Sequence, residues 1–415
     1  MMLRWSVLLL SLCLLFAADE PRWLVLNRAS REALAAKDYA GLRETLLELK
    51  PLLPGNPRVV YNLAVANARL GDAGGALAGL QDLANMGLIY DLSSSVDFLP
   101  LRSSPGFAAI VSRMEENKAP VSHSRPAFSL EERDLLPEDI ACDPATRRFF
   151  VASVRASKII TVDGHDFAKT DWPVLALRVD SGHGLLWVAS GWLAHCARCD
   201  KADEGKTALI SFDLHSGAQR QKIEAPVKGL LGDMTIGRAG DIFVSESIHG
   251  AVFRLRSGSG RMERLDTPGE FASPQTPALS PDEKTLYVAD YMRGIAALDL
   301  ATGRLSWLKP VDGIALAGID GLYLYRDSFL AVQNGTAPPR IIRFSLDLRQ
   351  QQVLEANTPE LGEPTHGTLV GNTFYYIANS GWPEYDDEGK KKPGSPPVQS
   401  SIRQIVLRNR VEPRR

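Results

Sequence analysis

The sequence predicts an all-β six-bladed β-propeller preceded by a small α-helical domain, and three observations carry that prediction. A short apolar run ending in small or polar residues recurs six times: FFVASV at 149–154, LWVASG at 186–191, IFVSES at 242–247, LYVADY at 286–291, FLAVQN at 329–334 and YYIANS at 375–380. With Phe150, Trp187, Phe243, Tyr287, Leu330 and Tyr376 taken as equivalent, the spacings are 37, 56, 44, 43 and 46 residues, room for about four short strands per unit. Second, each run sits in a hairpin. A strand and a tight turn precede it, as in IACDPATRRFFVAS and ALSPDEKTLYVADY, and a third strand follows, as in ALISFDLHSG at 208–217,. Third, the chain before residue 118 has a different texture, rich in alanine and leucine at helical spacing,.

Taken in order, residues 1–18, MMLRWSVLLLSLCLLFAA, have an early Arg4, an apolar stretch and small residues at Ala17 and Ala18, the layout of a secretory leader,. Export to a periplasmic or secreted location is therefore expected, with no membrane span in the mature chain. Residues 19–118 are expected to be helical. Asp38-Tyr39-Ala40-Gly41-Leu42, Asn62-Leu63-Ala64, Leu70-Gly71-Asp72 and Ala76-Leu77 follow the tetratricopeptide form, which implies a protein or peptide partner. Fewer than three complete repeats are visible. Either the stretch at 98–116 caps the array or the helices dock on the propeller. Residues 119–127 read as a linker, 128–410 as the propeller and 411–415 as a tail.

The 415 residues are 45% apolar and 23% charged, with a formal charge of −2. That balance argues against a nucleic-acid or anionic-membrane surface, which would show a basic excess. Beyond the leader there are three cysteines, Cys142, Cys196 and Cys199. Cys196 and Cys199 read as a local disulfide in the longest inter-run interval, with a redox pair as the alternative. A zinc site would need a second pair that the chain lacks.

Propeller sites lie at one mouth of the central channel, where the loops that enter each innermost strand converge. Counting back from the hairpin turns gives two registers: Glu138, Leu175, Gly232, Gln275, Asp320 and Thr365, then Asp139, Ala176, Asp233, Thr276, Gly321 and His366. Carboxylates brought together on an axis repel unless a cation lies between them, and oxygen ligation of this kind suits Ca²⁺.

The segments LPEDIACDP, LLGDMTI, SPQTPALSPDEKTLYVADYMRGI and GIDGLYLY resemble the senescence-marker-protein, gluconolactonase and luciferin-regenerating-enzyme family of propellers, and Glu138-Asp139 also resembles the paraoxonases. The resemblance implies an axial divalent metal, Ca²⁺ or another, held by Glu138 and Asp320 together with Asp233 and Gln275. Two positions depart from the family: Gln275 stands where relatives carry an Asn, and Gly232 precedes Asp233 where relatives often have Asn-Asp.

Two functions follow as expectations. One is an exported calcium-dependent hydrolase of lactones or related esters, with Asp320 and His366 as candidate catalytic bases and Asp139, Asn379 and Trp382 as candidate substrate contacts. The other is a non-catalytic propeller and helical scaffold that binds a protein, peptide or sugar. A quinone-dependent dehydrogenase finds little support, because successive blades lack a tryptophan docking repeat.

Overall fold

The computed structural model describes residues 20–409 and 411 of the chain. The expected leader lies outside the described residues, and among those described no helix is long and apolar enough to cross a membrane.

Five helices come first: α1 (Arg22–Ala35), α2 (Tyr39–Leu49), α3 (Pro57–Arg69), α4 (Ala73–Asn85) and α5 (Pro105–Glu116). Their starts follow from capping chemistry. Asp38 accepts from the Gly41 N–H ahead of α2, Asn56 from Arg58 and Val59 ahead of α3, and Asp72 from Gly75 ahead of α4,. Small residues let α3 and α4 come close, since a Cβ added at Gly79 would sit 3.2 Å from that of Ala64. Phe98, Phe107, Ile110 and Met114 join Leu80 and Leu83 in one core, so the 98–116 stretch covers the α3–α4 pair.

The helices also dock on the propeller, so both alternatives left open by the sequence are realised. Asn56 Nδ2 donates to the Met292 carbonyl (2.7 Å), the Leu316 N–H to Gly55 (2.9 Å), the Ile89 N–H to Ala337 (2.8 Å) and Trp23 Nε1 to Gly269 (3.1 Å). Ala315 sits inside the helical core. Arg293, 5% exposed, lies between the rings of Trp23 and Trp307, with its guanidinium carbon 5.0 and 4.1 Å from their centroids,.

Six antiparallel sheets form the propeller. Their first strands are Pro137–Cys142, Val174–Asp180, Leu231–Ile236, Pro274–Leu279, Gly321–Tyr325 and Gly367–Val370. Blades 1 to 5 touch in succession through these strands, blade 6 touches blade 1, and Tyr323, Leu330, Phe374 and Tyr376 join blades 5 and 6 in one apolar cluster. The second strands are Phe149–Ser153, Leu185–Gly191, Ile242–Glu246, Thr285–Asp290, Ser328–Gln333 and Thr373–Asn379; all six marker residues of the repeat fall in them. Apolar clusters join neighbouring blades: Phe150, Leu177 and Ile210 join blades 1 and 2, and Ile295, Phe329 and Ile342 join blades 4 and 5.

The segment expected as a linker is not free. Val121–Ser122 adds a fifth strand to blade 5, and Ser124–Ser129 is the outer strand of blade 6, paired with Ser401–Val406. The ring is thus closed by pairing the two ends of the propeller. This edge strand lacks a sequence signature because it is largely solvent-facing, and its Pro126 adjoins a register shift, where a missing N–H is tolerated,. Cys196 and Cys199 form a disulfide in the 192–206 loop, and Cys142 is buried and free.

Candidate metal centre

Local irregularity positions the site. In blades 1 to 4 the ladder between first and second strands shifts register at one equivalent place: between Pro137 and Ile140, Val174 and Ala176, Leu231 and Met234, and Pro274 and Pro277. Such bulges re-aim side chains, and they fall on Glu138-Asp139, Leu175, Gly232-Asp233 and Gln275-Thr276. In blades 5 and 6, Asp320 and His366 sit one residue before the first strand.

Glu138, Asp233 and Asp320 converge on His366, whose side chain is 2% exposed. His366 Nε2 lies 2.9 Å from Asp233 Oδ1 and 3.8 Å from Asp320 Oδ1, while Nδ1 is 4.0 Å from Glu138 Oε1. Nδ1 is also 3.0 Å from the Glu138 backbone carbonyl, a contact that assigns its proton there. Nε2 is buried with Asp233 Oδ1 at 2.9 Å, an ion-pair contact that favours the imidazolium, and among the described residues it has no hydrogen-bond partner in good alignment. Trp382 Nε1 donates to Glu138 Oε2 (2.6 Å), and Asn334 Nδ2 donates to Asp320 Oδ2 (2.7 Å).

Crowding of like charge in a buried place sets the protonation. Burial pushes the Glu138 carboxyl up to about 8, with Asp320 and Asp233 adding to the rise, while His366 and the Trp382 N–H oppose it,. Asp320 is raised by burial and by Asp233, again against His366. For His366, burial disfavours the cation, yet Asp233 and Asp320 outweigh it and hold the imidazole well above its ordinary value. Glu363, half-buried nearby, is raised to about 7 by burial and by Asp320.

Other candidate residues fall elsewhere. Asp139 is not a substrate contact: it is fully buried, and its Oδ2 accepts from the Leu177 N–H (2.8 Å) and Arg178 Nη1 (2.5 Å), tying blade 1 to blade 2. Gln275 shares the mouth register, but its Nε2 donates to the carbonyl and hydroxyl of Ser273, and it makes no hydrogen bond to the acidic cluster among the described residues. Asn379 makes no hydrogen bond to the acidic cluster among the described residues. It lines a recess of about 400 Å³ with Phe128, Glu360 and Arg403 on blade 6, and its amide lies against Gly362 in the loop that leads to His366.

Sequence reasoning missed Asn334, Tyr291 and Glu363. The Tyr291 hydroxyl donates to Asn334 Oδ1 (3.0 Å), so a chain of bonds runs Tyr291 to Asn334 to Asp320. The signal available was the glycine after Asn334: a Cβ at Gly335 would fall 2.6 Å from both Gly318 Cα and the Tyr291 ring, so only glycine lets these loops meet. The His195 ring packs on Trp382 at 4.6 Å between centroids.

The donor set fits a metal ion. One ligand atom from each of Glu138, Asp320 and His366 lies within 4.8 Å of the others, about twice a metal–ligand bond length, and the undirected Nε2 is the group that an ion would satisfy. The imidazole makes the set mixed nitrogen and oxygen rather than all-oxygen, which widens the range of suitable ions beyond Ca²⁺.

Fold and site together define a six-bladed propeller with a histidine-bearing acidic centre at one mouth. No family model matches the chain, and no curated protein matches it. Among solved structures it is similar to a gluconolactonase from Xanthomonas campestris (16% identity, 70% of this chain and 98% of that one, TM-score 0.45). A luciferin-regenerating enzyme is likewise similar (15%, 71% and 97%, 0.46), as is regucalcin, a calcium-binding protein from Agrobacterium tumefaciens (16%, 69% and 97%, 0.48).

Proposed function

We propose that this protein is an exported, divalent-metal-dependent hydrolase of lactones or related esters. The observation that carries the reading is the convergence of Glu138, Asp233 and Asp320 on the undirected Nε2 of His366. Acidic groups gathered this closely call for a cation, and when bound there a divalent ion polarises a carbonyl and stabilises the oxyanion that forms on hydrolysis. Glu138, Asp320 and His366 would hold it. Calcium is the ion implied by the sequence resemblance; the imidazole nitrogen also admits Mn²⁺ or Zn²⁺.

The chain's own groups supply the rest. Asn334 and Trp382 each fix one carboxylate oxygen, leaving Asp320 Oδ1 and Glu138 Oε1 directed to the site. Glu363 is raised to about 7 by burial and by the neighbouring Asp320. Trp382 supplies an apolar wall. Export is supported by the layout of residues 1–18 and by the Cys196–Cys199 disulfide, which oxidising compartments favour,.

A second reading has its own observation. Imidazolium at His366, 2.9 Å from Asp233, is itself a cation, and in that case the centre is a structural ion cluster in a binding protein. Metal titration by thermal shift with Ca²⁺, Mn²⁺ and Zn²⁺ separates the two, with Glu138→Gln and Asp320→Asn as comparisons. Stabilisation in the wild type only, with turnover across a lactone and ester panel, supports the hydrolase; no response to any ion leaves the second reading.

A further inference from the structure

Between the helices and the mouth of the propeller lies a cavity of about 370 Å³. One wall is helical, with Arg31 from α1, Arg58 and Asn62 from α3, and Tyr90; the other is propeller, with Tyr291 and Gly335. Tyr291 is the outer end of the hydrogen-bond chain to Asp320, so one wall of the cavity is bonded to the centre through Asn334. Its charge is one-sided. Arg31 and Arg58 are its only charged lining residues among those described; both are exposed, and neither pairs with a carboxylate among the described residues. Arg58 lies near enough to Tyr90 to oppose the rise that burial imposes on that phenol.

We infer that this cavity is a subsite for an oxyanionic group, carboxylate or phosphate, on the ligand whose other end reaches the acidic centre. The inference rests on the hydrolase reading for what happens at that other end, but not for the binding itself. Cations on the helical side and carboxylates on the axis form a dipolar mouth. An anionic ligand therefore enters in one orientation, its acid group toward Arg31 and Arg58 and its ester or lactone toward Glu138 and Asp320. This gives the docked helices a role in selecting substrate; they are held to the loops at 313–318 and 335–337 by the Leu316–Gly55 and Ile89–Ala337 main-chain bonds and by the Gly313 N–H donating to the Asp82 carboxylate.

The test uses the full-length protein. Binding of succinate and of inorganic phosphate is measured by calorimetry on wild type, Arg31→Ala, Arg58→Ala and the double variant, with circular dichroism to confirm folding. Each exposed arginine is expected to contribute about fivefold in affinity, and the loss should shrink with added salt. Which anion binds more tightly names the group. In parallel, the preference for mono(4-nitrophenyl) succinate over 4-nitrophenyl butyrate, as a ratio of kcat/KM, should fall about fivefold per arginine and partly recover in Arg58→Lys. Neither anion binding to the wild type, or binding unaltered in the double variant, overturns the inference. Absence of all turnover alongside arginine-dependent anion binding would overturn the hydrolase reading and support the subsite.

Discussion

The crowded centre makes stability depend on pH, a dependence that a bound metal should flatten. In chelator-treated protein the Glu138 carboxyl titrates near 8 rather than its ordinary 4.5, so between those values the folded state holds a proton that the unfolded state has released. Stability contributed in this way is fully present below about pH 4.5 and is lost as pH rises through 8. Asp320, Asp139 and His366 are also raised and act in the same sense. From Glu138 alone the loss is about 3.5 pH units at about 1.36 kcal/mol each, or about 5 kcal/mol. For a chain of 415 residues the unfolding entropy is about 0.9 kcal/mol/K, so the drop in Tm is about 5–6 °C. Surface carboxylates such as Asp166 and Asp282 are lowered and titrate below this window. The assay is urea and thermal unfolding from pH 5 to 8.5, with chelator and with saturating divalent ion. The ion should hold the carboxylates ionised, flatten the curve and add about 4 kcal/mol at a thousandfold excess over Kd. Glu138→Gln, neutral at every pH, should remove the share of the slope that Glu138 contributes to the chelated protein and leave that of Asp320, Asp139 and His366. A chelated wild type whose stability is flat or rising across this range, or whose slope equals that of Glu138→Gln, would refute the reasoning.

Arg178→Met leaves the fully buried Asp139 without its charged partner and should cost about 3–5 kcal/mol in urea unfolding; a loss under about 1 kcal/mol would show that the pair is not what ties blades 1 and 2. Gly232→Asn should be accommodated, because a Cβ there meets nothing closer than Ser247 Oγ at 3.9 Å. The added amide oxygen should tighten divalent-ion binding about tenfold by calorimetry, and unchanged or weaker binding would remove this position from the metal's reach. Trp382→Phe keeps the ring against His195 but deletes the N–H bonded to Glu138. Since that bond favours the ionised carboxylate, the acid limb of the pH–activity profile should move up by about one unit, and an unmoved limb would mean that Glu138 does not govern it.

The repeat was legible because its causes are local. Alternating burial, turn residues and the buried second strands recur in every blade, and Phe150, Trp187, Phe243, Tyr287, Leu330 and Tyr376 mark equivalent strands without reference to any neighbour. The same ruler brought Glu138, Asp233, Asp320 and His366 to one mouth. What it did not reach depends on contacts between distant segments. Asp139 and Asp233 occupy equivalent positions, yet one is consumed by Arg178 of the next blade while the other faces His366; no register distinguishes them. Asn334 reaches Asp320 only because Gly318 and Gly335 let two loops touch. Ser124–Ser129 became a blade strand only because the far end of the chain offered an edge to pair with. The sequence by itself determined six blades, a helical preface and the acidic register. Tertiary structure decided which carboxylates face His366, and it docked the helices on the loops at 313–318 and 335–337, because both outcomes follow from packing between segments far apart in the chain.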